Sequence, residues 1–161
     1  MPLSLALYQP DIPQNTGMML RLCACLGVSA DIIEPAAFPV SDRAFRRAGM
    51  DYLDRIEIVR HASFAAFEAR RASSGRRLVL LTTRGATPYT EFAFTADDIL
   101  LVGRESAGVP ESVHDAADAR IIVPMRPGFR SLNVAVTAAM VMGEALRQTS
   151  GFQGLPGGTP A

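Results

Sequence analysis

The chain predicts an α/β fold: a mostly parallel sheet flanked by helices. Short apolar runs alternate with stretches of helical periodicity along its 161 residues, the pattern of strands joined by crossover helices. Composition is globular, 48% hydrophobic and 20% charged, and the length supports a substantial core without disulfides or metal. Neither a repeat nor a linker interrupts the pattern, so residues 1–150 read as one domain and 151–161, rich in Gly and Pro, as a flexible tail.

Leu3–Tyr8 reads as the first strand; the segment lacks a basic n-region and is too short for a signal peptide. Asn15–Leu26 follows as a helix with Asn15 placed to cap it. Strands are then expected at Ala30–Glu34, Arg55–Val59, Leu78–Thr82, Ile99–Val102 and Arg120–Val123, and helices at Ser41–Ala48, Ser63–Ala72 and Pro110–Ala117. Leu132–Gln148 closes the fold, with Ser131 as its expected N-cap. That last helix is apolar almost all round, so it is either buried in a core or packed on a second subunit. A homodimer through this helix is the preferred reading. The longest apolar stretch falls short of a membrane span.

Formal net charge is zero, so any nucleic-acid contact must come from a local cluster. All sixteen basic residues are arginine, which suits bidentate phosphate contacts and equally follows from a GC-rich coding sequence. Cys23 and Cys25, at i and i+2 of a helix, point apart, and His61 and His114 are isolated. No metal is expected, the thiols are expected to be reduced, and the cytoplasm follows.

In an open α/β sheet ligands bind outside the carboxyl ends of the strands. Four loops there are distinctive. Gln9–Gly17 joins the first strand to a helix carrying Arg21. Leu81-Thr82-Thr83-Arg84-Gly85 is a strand end with small hydroxyls. Gly103–Pro110 brackets a polar turn with Gly103 and Gly108, where glycine admits close approach of a ligand to the backbone. Val123–Val136 runs from an apolar strand through a rigid basic loop into the last helix, with Arg126 and Arg130 beside free helix N–H groups. Neither G-x-G-x-x-G nor Gly-Lys-Ser/Thr occurs there, which disfavours a dinucleotide fold or a P-loop.

Three of these segments together carry a resemblance. Ile12-Pro-x-Asn15-Thr-Gly with Arg21, Gly103-x-Glu105-x-x-Gly108-Val-Pro, and Val123-Pro-Met with Arg130-Ser131-Leu132-Asn133 resemble the three motifs of the SPOUT-superfamily RNA 2′-O-methyltransferases, over roughly residues 3–148. The minimal length, Cys-Ala-Cys in the first helix, Ile33-Glu34-Pro35 and Arg46–Tyr52 are similar to the subgroup acting on cytidine or uridine 34 of tRNA. The resemblance implies a C-terminal trefoil knot and S-adenosylmethionine as cofactor, leaving as S-adenosylhomocysteine. It implies a cofactor pocket lined by Leu81, Thr82, Gly103, Val123, Met125, Ser131 and Leu132, and assigns Arg21 to catalysis. The substrate is then the tRNA anticodon stem-loop. Arg126 and Arg130 are the expected RNA contacts, joined by Arg43, Arg46 and Arg47, the densest basic cluster; for that cluster the alternative is a solvated helix face with Arg47 paired to Asp51. Asn133 either steadies the knot loop or faces substrate, and Glu105 either orients Arg21 or fixes its own turn. Met18 and Arg104 depart from the family pattern. Rival readings are another tRNA or rRNA position, or a catalytically silent RNA-binding module.

Overall fold

The computed structural model describes residues 2–39, 50–85 and 87–158. Seven strands form one sheet: β1 (Ser4–Tyr8), β2 (Ser29–Ile33), β3 (Ile58–His61), β4 (Leu78–Leu81), β5 (Thr87–Pro88), β6 (Ile99–Val102) and β7 (Ala119–Ile122). Their order is β3-β2-β1-β6-β4-β7-β5, and every strand pairing is parallel. Helices α1 (Pro13–Leu26), α2 (Phe64–Ser74), α3 (Glu111–Ala116) and α4 (Val134–Gln148) connect and cover them.

Alternation along the strands divides the core in two. Leu5, Leu7, Ile32, Val79, Leu100 and Val102 face α1 and α4; Ala6, Ile33, Leu78, Leu80 and Leu101 face Phe67 of α2 and Val113 of α3. Helix α4 buries Ala135, Ala138, Val141, Met142, Ala145 and Leu146 against the first layer. Its opposite side leaves Val136 and Met140 exposed, and α1 leaves Met18 exposed. Beyond α4 the chain runs in turns, and Phe152 packs against the main core cluster. Among the described residues, no helix is long and apolar enough to cross a membrane.

Four expectations shift. Arg55–Val59 does not form the third strand: Met50–Arg55 is a 3-10 helix, and the strand begins at Ile58 and runs to His61. Its end is polar because Asp31 of β2 holds the His61 Nε2 at 2.7 Å, a pairing that period-two hydrophobicity does not signal. Strand β5 was too short to read, and its Pro88 is tolerated because the strand lies at the sheet edge. Asn15 does not cap α1; Ile12 occupies the cap position and Pro13 begins the helix, where a missing N–H costs nothing. Ser131 does not cap α4; Asn133 does, its Oδ1 accepting from the Ala135 and Val136 amides at 2.9 and 3.3 Å. The expected helix at Ser41–Ala48 lies outside the described residues.

Candidate functional site

The winding reverses between the neighbours β1 and β6: the chain leaves β1 toward β2 on one side and leaves β6 toward β7 on the other. The crevice at such a switch point is where an α/β sheet offers a ligand site. Here the loops after β1, β4, β6 and β7 enclose a cleft of about 590 Å³, within the range of pockets that hold a small organic ligand. Leu80, Leu81, Val102, Ile121 and Val123 supply its apolar floor. Residues 103–109 form one wall, and Met125 with Arg130–Val134 forms the other.

All seven residues named for the cofactor, Leu81, Thr82, Gly103, Val123, Met125, Ser131 and Leu132, line this one cleft, as does Arg130. Arg126 is exposed on the same loop but does not line it. Arg21 is placed elsewhere: it sits on the exposed side of α1, its guanidinium 4.7 Å from the Tyr52 ring centroid, and is absent from the cleft lining. Arg43, Arg46 and Arg47 lie outside the described residues.

The second loop closes on itself. Arg104 and Gly108 exchange backbone hydrogen bonds of 3.1 and 2.8 Å, and a Cβ on Gly103 would stand 2.8 Å from the Gly108 carbonyl carbon. The fold of its own turn therefore requires Gly103, whatever a ligand's approach adds. Gly108 has φ +61, which glycine adopts without strain.

Polar contacts tie the loops together. The Asn133 Nδ2 donates to the Asn15 Oδ1 at 3.1 Å, so the cap of α4 also clamps the first loop to the last. That bond, with the cap itself, gives Asn133 a structural role. Asp11, between Pro10 and Ile12, receives the Glu105 amide at 3.2 Å and the Ser106 hydroxyl. The Glu105 side chain faces Asp11 and Asn15, and burial, then the Asp11 carboxylate, push it up to about 7. Burial opposes ionisation of Asp11 too, yet hydrogen bonds from Glu105 and Ser106 draw it below the usual carboxylate range. The Glu105 Oε2 is buried with no donor. A carboxyl group facing a carboxylate is satisfied when it carries the shared proton, and the Glu105 amide ties this turn to Asp11 of the first loop.

Asp11 went unread in the sequence, as did Leu80, Ile121, Ile122, and Thr137 and Val141 of α4, which line the cleft. With Val134 the last two stand at i, i+3 and i+7, so the all-round apolar helix held the signal that one of its faces serves the site. Among the described residues no group of three or more His, Cys, Asp or Glu could hold a metal ion.

The chain is 72% identical over 144 residues, 89% of its length and 90% of the relative's, to a tRNA (cytidine(34)-2′-O)-methyltransferase of Beijerinckia indica. A solved structure concerned with 2-OH methylation of C/U34 on tRNA superposes with a TM-score of 0.87 at 40% identity, covering 92% of this chain and 97% of that one. The SpoU methyltransferase AviRb of Streptomyces viridochromogenes, in complex with AdoMet, superposes with a TM-score of 0.79 at 30% identity, over 90% of this chain and 59% of the other. The model of the SpoU rRNA methylase family matches residues 2–143. With that span and those identities, this chain belongs to the SpoU methylase family, within the SPOUT fold that its sequence motifs resemble.

Proposed function

We propose that the chain transfers a methyl group from S-adenosylmethionine to the ribose 2′-hydroxyl of the wobble nucleotide, cytidine or uridine 34, in tRNA. The observation that carries this reading is the convergence of the three motif-bearing loops, with the loop after β4, on one cleft, clamped by Asn15 and Asn133. The 72% identity to a relative named for that reaction supports the substrate.

The residues present fit the cofactor. Its adenine suits the apolar surface between Leu81 and Val123 of the floor and Met125 and Leu132 of the wall, while Thr82, Gly103 and Ser131 offer backbone and hydroxyl groups to its polar edges. The cofactor supplies an electrophilic methyl on sulfur. On transfer the S–CH3 bond would give way to an O–CH3 bond, the 2′-hydroxyl proton would pass to substrate phosphate, Ser131 or water, and S-adenosylhomocysteine would be the product; the chain's part is in-line alignment, which supplies much of the acceleration. No metal is required.

Arg21 serves the reacting oxygen. A guanidinium with a pKa above about 12 is a poor base, so its role in this reading is to bind substrate phosphate and stabilise the developing negative charge. It shares the exposed side of α1 with Met18, and Val136 and Met140 are exposed on α4, which packs beside α1. A homodimer through α4 covers that apolar surface and carries Arg21 of one protomer toward the cleft of its partner. Arg126 and Arg130, with Arg43, Arg46 and Arg47, hold the anticodon stem-loop. The C-terminal trefoil knot and a cytoplasmic location belong to the same reading.

Labelled S-adenosylmethionine incubated with the protein and total tRNA, followed by mapping of the modified nucleotide, tests it. Label at the ribose of position 34 is the expected result. Label at another tRNA position or in rRNA replaces the substrate, and cofactor binding without transfer leaves a silent RNA-binding module. Arg21→Ala is expected to abolish turnover while leaving cofactor affinity nearly intact. Retention of most activity would sink the role given to Arg21.

A further inference from the structure

The cofactor reading leaves the tip of the last loop unexplained. Met125 and Arg130 both line the cleft, so the residues between them arch from its rim. Gly128 turns the chain there with φ +94. Phe129 follows and is 73% exposed, the highest value among the exposed large hydrophobic side chains of the described residues. One exposed apolar side chain needs no explanation by itself. Its setting does: Phe129 stands between the exposed Arg126 and Arg130, and no acidic residue occurs from Ala119 to Gly143. The Phe129 Cα is one residue, about 3.8 Å, from the Cα of Arg130, which lines the cleft.

An aromatic face between two guanidinium groups matches single-stranded RNA, whose unpaired bases stack on aromatic rings while arginines take the flanking phosphates. A protein partner fits less well. The other exposed apolar side chains outside the cleft, Met18, Val136 and Met140, lie on α1 and α4. An apolar surface closing over Phe129 would strip water from Arg126 and Arg130 without supplying a counter-charge.

We propose that Phe129 is a stacking platform for the unpaired base next to the methylated nucleotide, with Arg126 and Arg130 on the adjoining phosphates. This rests on the reading of the cleft as an RNA methylation site and adds the residue that registers the loop nucleotide against it. Phe129 is thus a positioning residue, acting on substrate placement and not on the methyl or its acceptor oxygen.

The test uses the full chain and an anticodon stem-loop carrying 2-aminopurine beside the target nucleotide. Binding to the unaltered protein is expected to quench the fluorophore. Phe129→Ala and Phe129→Leu should lose the quench and lower kcat/KM for methyl transfer about tenfold or more. Phe129→Tyr should keep both. S-adenosylmethionine affinity, by calorimetry, should stay within about twofold in all three. The platform is overturned if Phe129→Ala leaves quench and kcat/KM unchanged, if Leu substitutes as well as Tyr, or if Phe129→Ala changes the sedimenting mass, which would make the ring an interface residue. Unaltered protein that transfers no methyl to any RNA sinks the methylation reading itself, whereas transfer unaffected by Phe129→Ala sinks the platform alone.

Discussion

The two ends of the same strands are built on opposite principles. At the amino ends of β1, β4 and β6, Asp98 has no exposed side-chain surface and receives Arg77 Nε and Nη2 at 2.8 Å each, with the Thr95 amide and hydroxyl at 2.9 and 2.7 Å. Arg76, also buried, donates to the Pro2 and Asp97 carbonyls at 2.7 and 2.8 Å and to the Ser4 hydroxyl at 3.1 Å. Asp118 takes the Leu78 amide at 2.7 Å and Arg71 at 2.9 Å. At the carboxyl ends, the Glu105 Oε2 and the Arg104 Nε are buried without a partner beside the open cleft. Charged groups that pair with one another close off an end of a sheet, and among the described groups of this cluster only the Glu68 Oε1, beside Arg71, is buried without a partner. Groups left with spare hydrogen-bonding capacity beside empty volume mark the end that awaits a ligand.

Asp98→Ala breaks the closed end and should have the largest effect. It leaves Arg77 without its carboxylate and should cost about 3 kcal/mol in urea unfolding, while methyl transfer per folded molecule stays unchanged. Transfer falling further than stability would show that the amino end is no mere fixture. Gly103→Ala attacks the open end. The added Cβ meets backbone at 2.8 Å, so the turn must shift at a cost of about 1–3 kcal/mol, and S-adenosylmethionine affinity should fall at least about tenfold by calorimetry. Unaltered affinity would detach this turn from the cofactor.

What the sequence revealed divides along the same line. Strand and helix order was legible because apolar runs and periodicity are local, and the loops were legible because Pro, Gly and Asn punctuate each of them. The cap of α4 was misplaced by two residues: Ser131 and Asn133 are both strong caps, and only the path of the loop across the cleft decides between them. The facing of Asp11 and Glu105, 94 positions apart, carries no local signal. The same holds for the placement of Arg21 outside the cleft of its own chain, which depends on the direction in which α1 leaves the sheet. Thr137 and Val141 were hidden in a helix whose every side reads apolar.

Asn133 holds one function that can be separated from another. Asn133→Ala removes the cap and the clamp on Asn15 together, costing about 1 kcal/mol and loosening the cofactor loop. Asn133→Asp retains an oxygen for the Ala135 and Val136 amides but has no donor for the Asn15 Oδ1. Its stability should stay within about 0.5 kcal/mol of the parent, with cofactor affinity lowered nearly as far as in Asn133→Ala. Full affinity in the Asp variant would show that the cap, and not the clamp, organises the cleft.

The smallest effect is the one whose sign differs between the ends. Asp98 is opposed by its burial yet held below the usual carboxylate range by Arg77 and the Thr95 donors. The folded state therefore binds fewer protons there than the unfolded chain, and that stabilisation is lost as pH falls below the ordinary aspartate range, near 4. Asp11, also lowered, joins the same acid limb. Glu105 is raised to about 7, so the folded state holds a proton that the unfolded chain releases near 4.3. Its contribution is whole below that value, declines as pH rises to about 7, and changes no further above it. Glu105→Gln keeps the shape and a donor for Asp11 while removing the titration, so its urea midpoint should lose the decline between pH 5 and 7 and keep the acid limb. Asp98→Asn should do the reverse. A Glu105→Gln profile parallel to the parent across pH 5–7 would mean that no proton is shared at the cleft, and that the open end, like the closed one, satisfies its carboxylates with donors alone.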